Sequence, residues 1–526
     1  MSGINPIIPG FAPDPSVVRV GEWFFLVNST FHMFPGLPIY ASQDLVNWKH
    51  IGNALHRQSQ MSLKKSDTKL YPQEDTGEVL LATGGLYAPT IRYHRGIYYV
   101  ICTNIVHPAE GAPDVSENFV LSTKDIWANS WSDPVYFEFQ GIDPSLLFDD
   151  DGKVYVHGSA APGPFTKINL FEVDLATGKK LSDERTIWGG TGGIYPEGPH
   201  MYKRNGWYYL LISEGGTHDN HMITMARSQD IWGPYEPCPQ NPILTARGTG
   251  EYIQYTGHCE AFQDQDGNWW GACLGVRKDA KGRFIMGRET FLTSGNWNGD
   301  WLSLDLVKSN IETLSSREKL SDLPQIDKPG LDILYIRDAD FRRYRFDGHK
   351  NGDVTLIAAK TDLSAPEESP TFMGKRQRRL CGQSLVDITL SDIAVSADVN
   401  VGLACYKDEH RYLRIFYDGS DSTVVFEVVN NAKKISQTKR TAITLSQNTG
   451  LSFKLQYTED QYEALFRVGG KSGNPEWSLL ETVDTLVLTG PDFVGPVIGV
   501  FAVAETDAEV HCTSLVFDEP LAQKPH

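Results

Sequence analysis

The 526-residue sequence predicts an all-β protein in two unequal parts: a five-bladed β-propeller over residues 1–322 and a β-sandwich of the jelly-roll type over residues 323–526. Three observations predict it. The chain exceeds the ~250–300 residues at which a single hydrophobic core stops growing. Its 48 Gly and 29 Pro, with aromatics at 11%, favour many short strands and tight turns over long helices. A strand pattern also recurs five times along the first part, at spacings that mark propeller blades.

The first blade opens at Ala12 with APDPSVVRVGEWFFLVNS. The others open at Tyr87 (YAPTIRYHRGIYYVICT), Ile142 (IDPSLLFDDDGKVYVHGS), Tyr195 (YPEGPHMYKRNGWYYLLIS) and Thr256 (TGHCEAFQDQDGNWWGACL). Each reads as a polar or turn residue, a strand, a turn containing Gly and an aromatic-rich strand. Pro13 and Pro15 fix their own φ and bias the residues before them to extended backbone, which predicts an extended, rigidly directed Asp14. A second motif recurs as ASQDLVNW from Ala41, STKDIWANSW from Ser122 and RSQDIWGPY from Arg227: a strand end, a polar turn and a closing Trp. FDDDG at 148–152 has the composition of a cation site, yet it occupies the place of VGE, HRG, RNG and QDG in the other units and reads as a hairpin turn. LPQIDKPG at 323–330 reads as a linker. Beyond it, SLVDITL, YLRIFYD, TVVFEVV and LSFKLQYT, separated by Gly, Asn and Asp turns, have the pattern of a sandwich.

The first strand of each propeller blade lines the central axis, so corresponding positions converge in space. Aligned by the repeat, these positions hold Asp14, Pro89, Asp143, Glu197 and Cys259, with His258 beside the fifth. Three carboxylates at one axis repel, which forces their pKa values apart. A purely structural repeat has no use for that arrangement. Two carboxylates across a bound sugar, one protonated and one ionised, are the minimum for glycoside hydrolysis. Phe31, Phe34 and Tyr87 near strand ends suit stacking on sugar faces and equally suit core packing. His258 reads as a metal ligand, a hub for an axial water or a satisfied core histidine.

A formal charge of −18 leaves no basic excess for phosphates, which predicts neither a nucleic-acid nor a membrane partner and favours a neutral substrate. Seven cysteines, with Cys102, Cys259 and Cys273 in apolar strand-like runs, predict buried thiols rather than a disulfide framework. No apolar run approaches 18 residues, and the N-terminus MSGINPIIPG lacks the charged and apolar regions of a signal peptide. That predicts a cytoplasmic protein, or a secreted one if the N-terminus has been trimmed.

NPIIPGFAPDPSVVRVGEWFFLVNSTFHMFPGLPIYASQDLVNW, GIDPSLLFDDDGKVYV, EGPHMYKRNGWYYLLISEGGT and ARSQDIWGPYEPCPQNPIL resemble glycoside hydrolase family 43, the β-xylosidase and α-L-arabinofuranosidase family, over residues 5–310. The later region is similar to the concanavalin-like sandwich domain that often follows in its β-xylosidase members. The resemblance implies an inverting mechanism in which Asp14 is the general base, Glu197 the general acid and Asp143 a third acid that raises the pKa of Glu197 and orients it. It implies that Arg288 in GRET binds substrate hydroxyls, that Phe31 in STF and Tyr87 form aromatic walls, and that His258 in TGH contacts a central water or Ca²⁺. Hydrolysis would then require no cofactor, and any calcium would be structural.

The implied partners are xylan- or arabinoxylan-derived oligosaccharides, cut from their ends. An arabinofuranosidase specific for substituted arabinoxylan and a non-catalytic sugar-binding propeller are the rival readings. The sequence departs from the family with STFHMFPG for STFEWFPG, with Tyr87 for Trp and with an insertion at 60–83, all expected at the pocket rim. MGKRQRRL at 373–380 and DFVGPVIGVFA at 492–502 resemble segments that in relatives lie near the pocket mouth; they read equally as a basic hairpin and a core strand.

Overall fold

Hairpin turns set the pattern of the first domain. Arg95–Gly96 and Asn205–Gly206 each hold two successive residues at positive φ (+49° and +84°; +51° and +79°), the two-residue turn whose twist matches that of antiparallel strands. The computed structural model describes residues 5–73, 77–109, 111–160, 164–311, 314, 330–346, 353–390, 398–444, 450–469 and 476–521. The expected domain junction at 322/323 and nearly all of the expected linker lie outside the described residues.

Five antiparallel sheets follow one another, each starting with an inner strand: Ser16–Val20, Gly85–His94, Gly141–Phe148, Glu197–Arg204 and Ile253–Gln263. The inner strands touch in cyclic order, and the last returns to the first, so the sheets form the five blades of a closed propeller. The N-terminal segment seals the ring: Ile7 and Ile8 donate backbone hydrogen bonds of 2.9 and 3.3 Å to the Thr290 carbonyl in blade V.

The second motif turns out to be one local device used three times. In each copy a hydroxyl, of Ser42, Thr123 or Ser228, accepts from the N–H of the Asp two residues on, at 3.2 Å. That Asp then accepts from the backbone of the following turn, Asp44 from Val46, Asp125 from Trp127 and Asp230 from Trp232. Short polar side chains hydrogen-bonding their own backbone end the strand and fix the turn. FDDDG is a hairpin turn, as its position in the repeat predicts: Asp149 N–H donates to Lys153 O at 3.0 Å. Its first Asp is buried against Lys203 and Tyr208.

The second part consists of a seven-stranded sheet that includes Tyr344–Phe346 and Ser478–Asp484 at its edges, and a six-stranded sheet running from Thr371–Arg376 to Ile435–Ala442. Val386, Leu403, Phe453 and Val500 belong to the fully buried core they share. All seven cysteines are free, six of them buried and Cys381 exposed.

Several connections fix the sandwich to the propeller, three of them through its strands and hairpins. Met33–Phe34 pairs with Tyr335–Ile336. Arg283 makes two hydrogen bonds to Asp484, at 3.0 and 2.6 Å. The hairpin of Thr68–Pro72 with Val79–Thr83, part of the insertion at 60–83, bonds Leu81 N–H to Pro491 O at 3.0 Å and Thr68 to Glu409. His32 and Met33, expected at the pocket rim, instead lie in this interface. The His32 ring stands 5.8 Å from Tyr406, and Met33 packs in one cluster with Ile336, Phe372 and Tyr406. Burial, with Arg337 nearby, holds the His32 ring well below its ordinary pKa, so it is neutral.

Candidate active site

Each inner strand starts with an irregularity that the hydrophobic pattern hides. Asp14, Ala88, Asp143, Gly198 and His258 all have left-handed backbone, with φ of +52°, +37°, +55°, +56° and +42°. The first four precede a proline. In blades II to V the pairing with the next strand slips at this point, between Tyr87 and Thr90, Ile142 and Ser145, Glu197 and His200, and Gly257 and Cys259. These are β-bulges, which turn a side chain out of the sheet and are common beside active sites. Asp14 is therefore not extended, as its flanking prolines suggest. Asp tolerates the left-handed region better than most residues, at a cost of ~1–2 kcal/mol that the surroundings must sustain.

The bulges also correct the alignment. Gly198, not Glu197, occupies the position of Asp14 and Asp143, and His258 rather than Cys259 occupies the fifth. Glu197 is equivalent to Tyr87 and Ile142, one residue earlier, and these three line a groove beside the axis. Asp143 and His258 face each other, with Oδ2 and Nδ1 4.0 Å apart.

Local contacts aim Asp14 and Asp143. Ser29 Oγ donates to Asp14 Oδ2 at 2.6 Å and accepts from Ala88 N–H at 2.6 Å. Asn28 Nδ2 holds the preceding backbone through Ala12 O and Pro13 O, at 3.1 and 2.9 Å. Asp14 Oδ1 lies 3.4 Å from Arg288 Nη1. Asp143 Oδ2 accepts from Gly198 N–H at 2.9 Å. Gly198 has no substitute here: at φ +56°, a Cβ would stand 2.8 Å from His258 Nδ1. Ser29 and Asn28 were not singled out by the sequence; the polar run NST at the end of an apolar strand was the available signal.

Beneath the acids a second polar layer closes the axis. Arg92 pairs with the buried Glu260 at 2.6 Å, Glu260 accepts from Ser16 and from Val17 N–H, and Ser145 Oγ stands 3.3 Å from His200 Nδ1.

Burial separates the ionisation of the carboxyls. It lifts Asp143 to about 6, with the charge of Asp14 adding, while His258, the Gly198 N–H and Arg288 oppose the rise. Burial, reinforced by the charges of Asp143 and Asp14 and opposed by Arg288, raises Glu197 well above the usual carboxylate range. Glu197 keeps one side open to the groove. A carboxyl that stays protonated beside one paired with a guanidinium is the arrangement that acid–base hydrolysis needs.

The aromatic wall draws on both domains. Arg288 donates to the Phe493 carbonyl through Nε and Nη2 at 3.1 and 2.9 Å, and to Thr217 Oγ1 at 3.1 Å. Its guanidinium lies over the rings of Phe31 and Phe493, 5.5 and 5.0 Å from their centroids. Phe31 is 1% exposed, packed against Phe11, Tyr87 and Phe493, and so backs the wall. Tyr87 and Phe493 present its open faces, and the Tyr87 hydroxyl is spent on Thr83 O at 2.7 Å. The segment 492–502 is thus both a core strand, Val497–Val503, and, through Phe493, part of the site. In the segment 373–380, Arg378 reaches Pro9 O and Tyr40, bracing the propeller rather than the acids.

The donor set at His258 does not fit a protein-built calcium cage. Ca²⁺ takes six to eight oxygens. The Asp143 oxygen facing His258 already accepts the Gly198 N–H, and no group of three His, Cys, Asp or Glu side chains that could hold a metal occurs among the described residues.

Residues 4–302 match the model of glycosyl hydrolases family 43, and residues 334–517 that of the beta xylosidase C-terminal concanavalin A-like domain. Among curated proteins, the chain is 38% identical over 385 residues to the non-reducing end alpha-L-arabinofuranosidase BoGH43B of Bacteroides ovatus, covering 71% of this chain and 68% of that one. It is 32% identical over 533 residues to a xylosidase/arabinosidase of Butyrivibrio fibrisolvens, covering 95% of each. Among solved structures, a xylan beta-1,4-xylosidase of Bacillus halodurans superposes with a TM-score of 0.81 at 26% identity, over 97% of this chain and 98% of that one.

Proposed function

The chain belongs to glycoside hydrolase family 43 and is a glycoside hydrolase, and we propose that it is an inverting exo-enzyme releasing terminal β-D-xylose, α-L-arabinofuranose or both from xylan- or arabinoxylan-derived oligosaccharides. In this reading Asp14 takes a proton from a water, whose oxygen attacks the anomeric carbon. Glu197 gives its proton to the glycosidic oxygen, which leaves with the rest of the glycan. The attack comes from the face opposite the leaving group, so the released sugar has inverted configuration. Burial keeps Glu197 protonated, and the charge of Asp143 adds to it. Arg288 holds Asp14 and the Phe493 loop together, with Tyr87 and Phe493 flanking the terminal sugar.

The observation that carries the proposal is a set of carboxyls with opposed surroundings, Asp14 and Asp143 buried and Glu197 half-buried at the groove. Glu197 is raised well above the ordinary range, while Asp14 sits against Arg288 and Ser29. A sugar-binding propeller without chemistry has no use for a buried acid held protonated. Initial rates on aryl β-D-xyloside and aryl α-L-arabinofuranoside test the reading. Turnover of at least one by the wild type, lost in Asp14→Ala, supports it; turnover that survives in Asp14→Ala contradicts it.

A further inference from the structure

The scheme above uses one sugar and the oxygen it leaves behind, but the groove beside Glu197 is much larger. It has a volume of about 1880 Å³ and runs outward from Glu197 and Tyr87 across blades II and III to Tyr136 and Lys179. Pockets that enclose a drug-sized ligand span ~300–1,000 Å³. A single pentose is smaller than such a ligand, so the groove has room for several further residues.

Its position fixes what would lie in it. Glu197, read as the general acid, faces the glycosidic oxygen, and whatever extends outward past Glu197 is the leaving group. Much of its charged lining is already paired, Lys180 with Glu184, Asp114 with Lys69 and Glu117 with Asn104, which suits a neutral glycan. Tyr71, Tyr136 and Tyr195 border the groove with 43%, 48% and 38% of their surface exposed. Their hydroxyls have no hydrogen-bond partner among the described residues. Exposed aromatics are ordinary singly; three along one groove that is continuous with a catalytic acid offer faces for stacking and hydroxyls for sugar oxygens.

Tyr195 carries a second mark. It is a bulky residue at φ +52°, held there by its N–H to Pro164 O at 2.8 Å and by the adjacent Gly215 N–H to Ile194 O at 2.7 Å. Left-handed backbone at such a residue persists only where the surroundings over-determine it. Tyr71 belongs to the hairpin in the 60–83 insertion. With Leu81 tied to Pro491, that hairpin forms a fixed wall of the groove as well as a clamp on the sandwich.

We infer that this groove is an extended leaving-group cleft that binds a chain of several neutral sugar residues, with Tyr136 and Tyr195 as residues that set a preference for long substrates over disaccharides. The inference rests on Glu197 being the acid. The test is calorimetric titration of the Glu197→Gln variant, which binds without turnover, using linear β-1,4-xylo-oligosaccharides of two, four and six residues. Affinity should rise by roughly tenfold or more from the dimer to the tetramer. Tyr136→Ala and Tyr195→Ala, each in the same background, should remove most of that rise, with circular dichroism unchanged. Equal affinity for all lengths, or a length dependence that both substitutions leave intact, overturns the inference. Failure of the hydrolytic reading appears separately, as a wild type that turns over no aryl pentoside.

Discussion

Replacing Asp143 with Asn should stabilise the protein at neutral pH and impair it as a catalyst in a specific way. Asn preserves the shape and the oxygen that accepts the Gly198 N–H, and removes the buried charge. Asp143 titrates at about 6 in the folded chain against 3.8 for an ordinary Asp. As pH rises from about 4 to 6, the unfolded chain releases this proton while the folded chain keeps it, so wild-type stability falls across that window. Above pH 6 the deficit is constant. At ~1.36 kcal/mol per pKa unit, with part of the shift shared with neighbouring acids, it amounts to about 1–3 kcal/mol. The advantage of Asp143→Asn in denaturant titrations should therefore be near zero at pH 4 and complete above pH 6. The same substitution removes a charge that raises Glu197, so the alkaline limb of the kcat/KM profile should move to lower pH. A variant less stable at every pH, or an alkaline limb that stays in place, refutes this account of how Asp143 acts.

Other expectations follow from the same geometry. Asp14→Ala should lower kcat by roughly 10²–10⁴, and Glu197→Gln should lose far less on aryl glycosides with acidic phenol leaving groups than on xylobiose; equal losses on both would remove Glu197 as the acid. Gly198→Ala, which meets His258 at left-handed backbone, should cost about 1–3 kcal/mol, read as a lower denaturant midpoint. Phe493→Ala should reduce kcat/KM by roughly 10- to 100-fold on an aryl pentoside, because the ring braces Arg288 and walls the site from the second domain; unchanged kinetics would leave the sandwich without a part in catalysis.

Much of the site was legible because the repeat is a covalent record of symmetry. Five similar strands that must line one axis bring Asp14 and Asp143 together whatever the intervening loops do. The strand pattern could not reveal the bulges. An extra residue reverses which side chains face the axis beyond it, and period-two reasoning assumes no such insertion. Hence the repeat aligns Glu197 with Asp14, although it stands one position earlier and faces the groove with Tyr87. The prolines favour an extended Asp14, whereas the surrounding hydrogen bonds from Ser29 and Asn28 hold the left-handed form. Contacts between domains were the least legible. His32 and Met33 look like rim residues in sequence because they follow Phe31, but a strand pairing with Tyr335–Ile336 turns them into the interface, and only the folded chain brings Phe493 to Arg288.

The most direct test of the central claim is the configuration of the first product, followed by proton NMR during hydrolysis of whichever aryl pentoside the enzyme cleaves. The roles given to Asp14 and Glu197 predict α-xylose from a β-xyloside, or β-arabinofuranose from an α-arabinofuranoside, before mutarotation sets in. A first product with the configuration of the substrate would contradict the account, because it requires a covalent intermediate on one of these acids instead of a water delivered by Asp14.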